Sequence, residues 1–144
     1  MDKSGLLDTL QNNGVGCIAF TPLAQGLLTG KYLNGSPEDS RMHREGNKVR
    51  GLTPKMLTEA NLSSLRLLNE MAQQRGQSMA QMALSWLLKD DRVTSVLIGA
   101  SRAEQLEENV QALNNLTFST EELAPIVQHI ADGALNLWPA SSDK

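Results

Sequence analysis

Apolar residues run along this chain in two rhythms. Residues 15–20, after Gly14, form a short run apolar on both faces, and residues 93–98 a second short run, rich in β-branched residues and bounded by Gly99. Such runs predict the buried strands of a parallel sheet. Elsewhere the apolar residues recur every three or four positions, as in helices. Leu6, Leu7 and Leu10 lead to Asn13-Gly14 and predict the last turns of a helix with a glycine stop. Thr53-Pro54 pairs a hydroxyl cap with a proline, and predicts a helix running to about Arg75, ended by Gly76. Ser78-Met79-Ala80-Gln81 carries a capping-box pattern, and Met79, Met82, Ala83, Trp86 and Leu87 share the core face of its helix. Ser101-Arg102-Ala103-Glu104 repeats that pattern, with Leu106, Val110 and Leu113 as the expected buried stripe. Ser119-Thr120-Glu121-Glu122 opens a last helix that presents Leu123, Ile126, Val127, Ile130 and Ala131 on one face. Pro125 lies about a turn inside it and predicts a kink or a delayed start.

The order is helix, strand, loop, two helices, strand, helix, helix. That alternation predicts an α/β fold with a right-handed strand–helix–strand unit on a parallel sheet. Only two strands are expected, however. A two-stranded parallel sheet with two apolar faces has unpaired edges, so the isolated chain is expected to be marginal, to self-associate, or to need a complementing chain.

Composition narrows the picture. The chain has 144 residues, 40% of them hydrophobic but only 3% aromatic, so its core must be aliphatic. Cys17 is the single cysteine, which excludes a disulfide framework. No signal-like N-terminus is evident, and no apolar run approaches the ~20 residues that span a bilayer. A soluble, cytoplasmic protein without a membrane role is expected. Thirteen basic residues against 16 acidic leave a net charge of −3, which argues against a general nucleic-acid binder. Arg41, His43, Arg44, Lys48 and Arg50 nevertheless cluster in the glycine-containing stretch 33–52. That stretch is either a solvated loop or one that closes over phosphates.

Both strands end in a device suited to an anion. After the second, Gly99-Ala100-Ser101-Arg102 leads into a helix N-terminus, where free N–H groups and the helix dipole favour negative charge. Gly99 permits close approach, Ser101 offers a hydroxyl, and Arg102 suits bidentate contact with a phosphate. Gln105, Glu108 and Asn109 then place polar groups along the same helix edge, as a ribose or base requires. Ordinary helix capping accounts for the same residues without a ligand. After the first strand, Gly26, Gly30 and Lys31 offer a second half of a clamp, though no Walker pattern is present.

Phe20-Thr21-Pro22-Leu23-Ala24-Gln25-Gly26-Leu27-Leu28-Thr29-Gly30-Lys31-Tyr32, then Ser40-Arg41, and finally the run VLIGASRAEQLEENV from Val96 resemble the aldo-keto reductase family. The resemblance is to its potassium-channel β-subunit-like branch and extends over essentially the whole chain. It implies the seventh and eighth strands, with their helices, of an incomplete (β/α)8 TIM barrel. Residues 1–144 then form one partial domain: helix end, strand and cofactor loop (1–32), mobile loop (33–52), helices (53–90), and last strand with the C-terminal helices (93–144). Met1 stands directly before a helix that belongs mid-barrel, which suggests truncation.

The resemblance implies NADPH as cofactor and a small-molecule aldehyde or ketone as substrate. Thr21, Pro22, Leu23, Ala24, Gln25 and Gly26 would line the pyrophosphate, with Phe20 near the nicotinamide. Lys31 and Arg41 would reach phosphates. Gly99, Ser101 and Arg102 would hold the adenosine 2′-phosphate, and Gln105, Glu108 and Asn109 the adenosine. The family's catalytic Asp, Tyr, Lys and His come from earlier strands and have no counterpart in this sequence, so no catalytic residue is assigned. Tyr32 falls on the cofactor loop. His43 and His129 read as a loop and a helix-face histidine, and the sequence supports neither a metal site nor a Ser-His-Asp arrangement.

Overall fold

A computed structural model describes residues 4–35 and 57–131, with side chains as far as Val127 in the last helix. The elements are α1 (Leu6–Asn12), β1 (Cys17–Phe20), α2 (Glu59–Gln74), α3 (Met79–Leu88), β2 (Val93–Leu97), α4 (Ala103–Val110) and α5 (Thr120–Ala131). Two 3-10 stretches, Ala24–Thr29 and Gln111–Asn114, follow β1 and α4. β1 and β2 pair in parallel, with Ile18 opposite Ser95, Ala19 opposite Val96 and Phe20 opposite Leu97. The register slips once, between Cys17 and Ile18, where Thr94 is the additional residue on β2. Its Oγ1 accepts from the Cys17 N–H at 3.1 Å and so replaces a ladder bond. Gly16 is fitted to this bulge, since a Cβ there would lie 2.8 Å from that oxygen.

One face of the sheet is half-buried on the side of α3, and the other is open among the described residues: Ile18, Phe20 and Leu97 are 67%, 70% and 64% exposed. The strands were expected to be covered on both faces, and here only one is. The packed core lies instead between the loop after β1 and the helices. Leu27 and Tyr32 join Leu62, Leu65, Leu68 and Ala72 of α2, Met79 and Met82 of α3, and Ile126 of α5.

The helix ends follow side-chain chemistry. Ser78 forms the expected capping box: its Oγ accepts from the Gln81 N–H, and the Gln81 carboxamide accepts from the Ser78 N–H. Ser119 and Glu122 form another at the start of α5. α5 runs through Pro125 without a delayed start. α2, expected from Thr53, begins at Glu59. Thr58 is extended, which interrupts any helix arriving from upstream, and its Oγ1 caps the Asn61 N–H at 3.2 Å. Thr53 and Pro54 lie outside the described residues.

α4 departs most from expectation. Its cap is Arg102, extended and without a side-chain capping bond, rather than Ser101. The stripe Leu106, Val110 and Leu113 is about half exposed, while Asn109 and Ala112 are buried instead. The helix beside α4 in this chain is α3, which meets it with polar side chains. Nothing among the described residues covers the leucine stripe.

Two arginines tie the frame together. Arg92, ahead of β2, grips both Asp90 oxygens at 2.8 and 2.6 Å and reaches Asp8 of α1 at 2.5 Å. The hydrogen bond from Arg92 is the main cause that holds the Asp90 carboxyl at about 2, and burial works against it only in part. Arg75, between α2 and α3, has a side chain only 4% exposed. It bonds Glu122 of α5 at 2.7 Å, Gln77 at 3.0 Å and the Thr117 carbonyl at 2.9 Å, with its guanidinium 3.7 Å over the Phe118 ring.

Candidate functional site

Because Phe20 pairs with Leu97, the segments after β1 and β2 leave the same end of the sheet side by side. That is the carboxyl end of two parallel strands, where ligands of such sheets bind.

The first segment is strained. Thr21, Ala24 and Gln25 have φ of 56°, 47° and 58°, a left-handed conformation that side chains disfavour, most of all β-branched ones. Each such residue costs on the order of 1–3 kcal/mol and persists only where its surroundings impose it. Here the Ala24 N–H donates to the Thr21 carbonyl at 3.0 Å and the Gly26 N–H to the Leu23 carbonyl at 2.8 Å. Leu27 and Tyr32 fasten the loop to the core, and Arg66 of α2 donates to the Leu33 carbonyl at 3.3 Å. Lys31, beside the buried Tyr32, is exposed. Tyr32 is thus a core residue.

The second segment is open. A Cβ built on Gly99 would meet nothing within 4 Å, and Ser101 and Arg102 are exposed. The Gln105 Oε1 accepts from both the Ser101 N–H, at 2.9 Å, and the Ser101 hydroxyl, at 3.1 Å. This explains why the expected Ser101–Glu104 box does not form: the serine turns to Gln105 rather than capping the helix. Gln105, Glu108 and Asn109 do not share one free edge. Gln105 is half-buried against Ser101, Glu108 is exposed, and Asn109 is buried.

Phe20, the residues of the first loop through Gly26, Lys31, Gly99, Ser101, Arg102 and Gln105 are therefore carried on two adjacent segments. Arg41 lies outside the described residues, as does the basic cluster around it, and the His129 side chain is likewise not described. Among the described residues no three metal-ligating side chains gather. A shallow groove of about 440 Å³ lined by Leu88, Lys89, Asp91, Leu116, Thr117, Phe118 and Leu123 opens near the other end of β2 and includes none of these candidates.

Sequence reasoning missed the buried polar side chains Gln77, Gln81 and Ser85, which donate to main-chain carbonyls of α4 and the turns after it. Gln81 was legible only as a capping residue. The signal that could have found them is three small or amide residues at four-residue steps beside a core face.

A family profile described as "Aldo/keto reductase family" matches residues 1–131. The chain belongs to the aldo/keto reductase family. It is 94% identical over all 144 residues to the L-glyceraldehyde 3-phosphate reductase of Escherichia coli (strain K12), covering 42% of that protein. A probable voltage-gated potassium channel subunit beta of Arabidopsis thaliana is 37% identical over 126 residues, 87% of this chain and 37% of that one. Among solved structures, a thermostable aldo-keto reductase in complex with the inhibitor epalrestat matches with a TM-score of 0.55 at 26% identity, over 88% of this chain and 34% of that one. This aldo/keto reductase chain thus spans less than half the length of the curated relatives it matches. Its small parallel sheet with flanking helices is consistent with part of the family's barrel. Among the described residues no helix is long and apolar enough to cross a membrane.

Proposed function

We propose that these 144 residues are the cofactor-clamp portion of an NADPH-dependent aldo-keto reductase, whose strands β1 and β2 take the places of the seventh and eighth barrel strands. The complete enzyme reduces an aldehyde or ketone, with glyceraldehyde 3-phosphate the substrate suggested by the name of the E. coli relative. The observation that carries this reading is the pairing of a strained loop with an open one at the carboxyl ends of neighbouring parallel strands.

The residues present fit the cofactor. The first loop is locked in a shape its sequence disfavours, and the second leaves free space at Gly99 beside an exposed guanidinium. In this reading Thr21 to Gly26 line the pyrophosphate, Phe20 borders the nicotinamide, and Lys31 and Arg41 meet phosphates. Gly99, Ser101 and Arg102 take the adenosine 2′-phosphate, and Gln105 and Glu108, which unlike Asn109 are not buried, take the adenosine. NADPH supplies the hydride when bound, and the protein supplies orientation and electrostatics. The family's proton-transferring Asp, Tyr, Lys and His have no counterpart in these residues, so the chain alone binds cofactor without turning it over. It resides in the cytoplasm, and the open sheet face drives self-association or pairing with a complementing chain.

The test is equilibrium binding of NADPH and NADH to the purified chain, with Arg102→Ala. NADPH should bind more tightly than NADH, and Arg102→Ala should weaken NADPH at least about tenfold, one bidentate charge-assisted contact, while sparing NADH. No binding at millimolar NADPH would overturn the reading. Carbonyl-dependent NADPH oxidation by the chain alone would overturn its inactivity. A second reading, a non-catalytic nucleotide- or partner-binding module, is favoured by the similarity to proteins named as potassium channel β-subunits. Retained NADPH affinity would support it only if supplying the remaining barrel strands still gave no reductase activity.

A further inference from the structure

We propose that Gln81 and Ser85 of α3 are positioning residues, which set the seat of α4 and through it the cofactor edge formed by Ser101, Arg102, Gln105 and Glu108. The proposal rests on the reading of that edge as part of an NADPH clamp.

Gln77, Gln81 and Ser85 recur at four-residue steps ahead of and along α3, and all three are buried. Each donates to a main-chain carbonyl of α4 or of the turns that follow it. The Gln81 Nε2 donates to the Glu108 carbonyl at 2.9 Å, while its Oε1 accepts from the Ser78 N–H at 2.9 Å. The Ser85 hydroxyl donates to the Ala112 carbonyl at 2.9 Å and accepts from the Gln77 Nε2 at 3.0 Å. Gln77 also donates to the Asn115 carbonyl at 3.1 Å. The acceptors lie in the last turn of α4 and the turns after it, where carbonyls lack intrahelical partners. No buried side-chain polar atom among the described residues is left without a partner.

On the side of α3, α4 is met by an amide and a hydroxyl, while Leu106 and Val110 of its apolar stripe are exposed. Directional bonds therefore hold the helix on that side. Two such bonds, to the Glu108 and Ala112 carbonyls four residues apart, together restrict the axial height and rotation of the helix. α4 has only eight residues and is about 12 Å long, so its seat near Glu108 also sets where its first turn stands. Binding constellations need their groups held within about 0.5 Å.

Gln81→Glu separates the two tasks of this side chain. A glutamate still accepts from the Ser78 N–H and preserves the capping box. It has no N–H for the Glu108 carbonyl and sets a carboxylate against it. The readouts are amide exchange by segment and NADPH affinity of the 144-residue chain. We expect exchange at residues 103–115 to accelerate about tenfold with α3 unchanged, and the NADPH Kd to rise about five- to tenfold. Ser85→Ala should act in the same direction, and decides on the same readouts if Gln81→Glu does not fold. Exchange and affinity within twofold of the parent would overturn the proposal, as would acceleration spread evenly over the chain. If the parent binds no NADPH, the cofactor reading fails, while local exchange at 103–115 still decides whether these side chains seat α4.

Discussion

Arg75→Ala should unfold this chain more readily than any truncation of comparable size on its surface. The side chain is 4% exposed and bonds Glu122, Gln77 and the Thr117 carbonyl, with Phe118 stacked beneath it. Removing one partner of a buried ion pair costs ~3–5 kcal/mol, because the other charge is stranded. Glu122 is 29% exposed and keeps the Ser119 N–H, so water and that bond recover part of the loss. About 3 kcal/mol is the resulting expectation. At ~0.05 kcal/mol per residue, the lower end for folded domains, 144 residues amount to about 7 kcal/mol. The variant would forfeit nearly half of that. Urea titration reports it through Trp86, whose ring meets Phe118 edge-on at 5.5 Å; a Trp138→Phe background removes the other indole signal. Arg75→Lys keeps the charge but not the fork, and should recover less than half. A loss below about 1 kcal/mol for Arg75→Ala, with the Trp86 spectrum unchanged, would refute the argument that this guanidinium joins α2 and α3 to α5.

Gly16→Ala forces a Cβ against Thr94 Oγ1, which Cys17 holds in place, and should cost about 1–3 kcal/mol in the same titration, with Thr94→Ala in the same background relieving the clash. Asp90, held at about 2 by Arg92, stabilises the fold above the ordinary aspartate pKa near 4; that contribution is lost as pH falls from about 4 to about 2. Asp90→Asn should flatten the urea midpoint across that window. Burial opposes the charge on Glu122, but the bonds from Ser119 and Arg75 outweigh it and hold the carboxyl below its usual range. Its share of stability likewise vanishes on acidification, and less of it should be present to lose in Arg75→Ala. Phe20→Asp with Ile18→Ser should reduce association of the purified chain in sedimentation equilibrium, because both side chains stand on the open sheet face; an unchanged mass distribution would count against that face as the contact.

What the sequence shows and what it hides divide along a physical line. Both strands, the glycine stop after α1, the box at Ser78, the helix start at Ser119, and the methionine core of α3 are local signals, and the structure contains them. Periodicity also grouped Leu106 and Val110 of α4 with Leu113 of the 3-10 stretch after it, and all three share the same exposure. It could not say that this face would be left open, because which face is covered depends on neighbours distant in sequence. The Ser101–Glu104 pattern failed for a related reason: Gln105 competes for the same serine at a distance the motif does not consider. Gln81 read as a cap was half right, since one end of its carboxamide closes the box and the other holds Glu108. The strain at Thr21, Ala24 and Gln25 was invisible to composition, for none of the three is a residue that favours a left-handed backbone. That mismatch between residue and conformation is what distinguishes the loop after β1 from an ordinary connection. A loop free to relax would place glycine or asparagine at those positions, whereas this one keeps threonine, alanine and glutamine and is held in shape by Leu27, Tyr32 and Arg66. Strain imposed by the core on a loop at the carboxyl end of a strand gives that loop one preformed shape, which is what a clamp for an extended anionic cofactor requires.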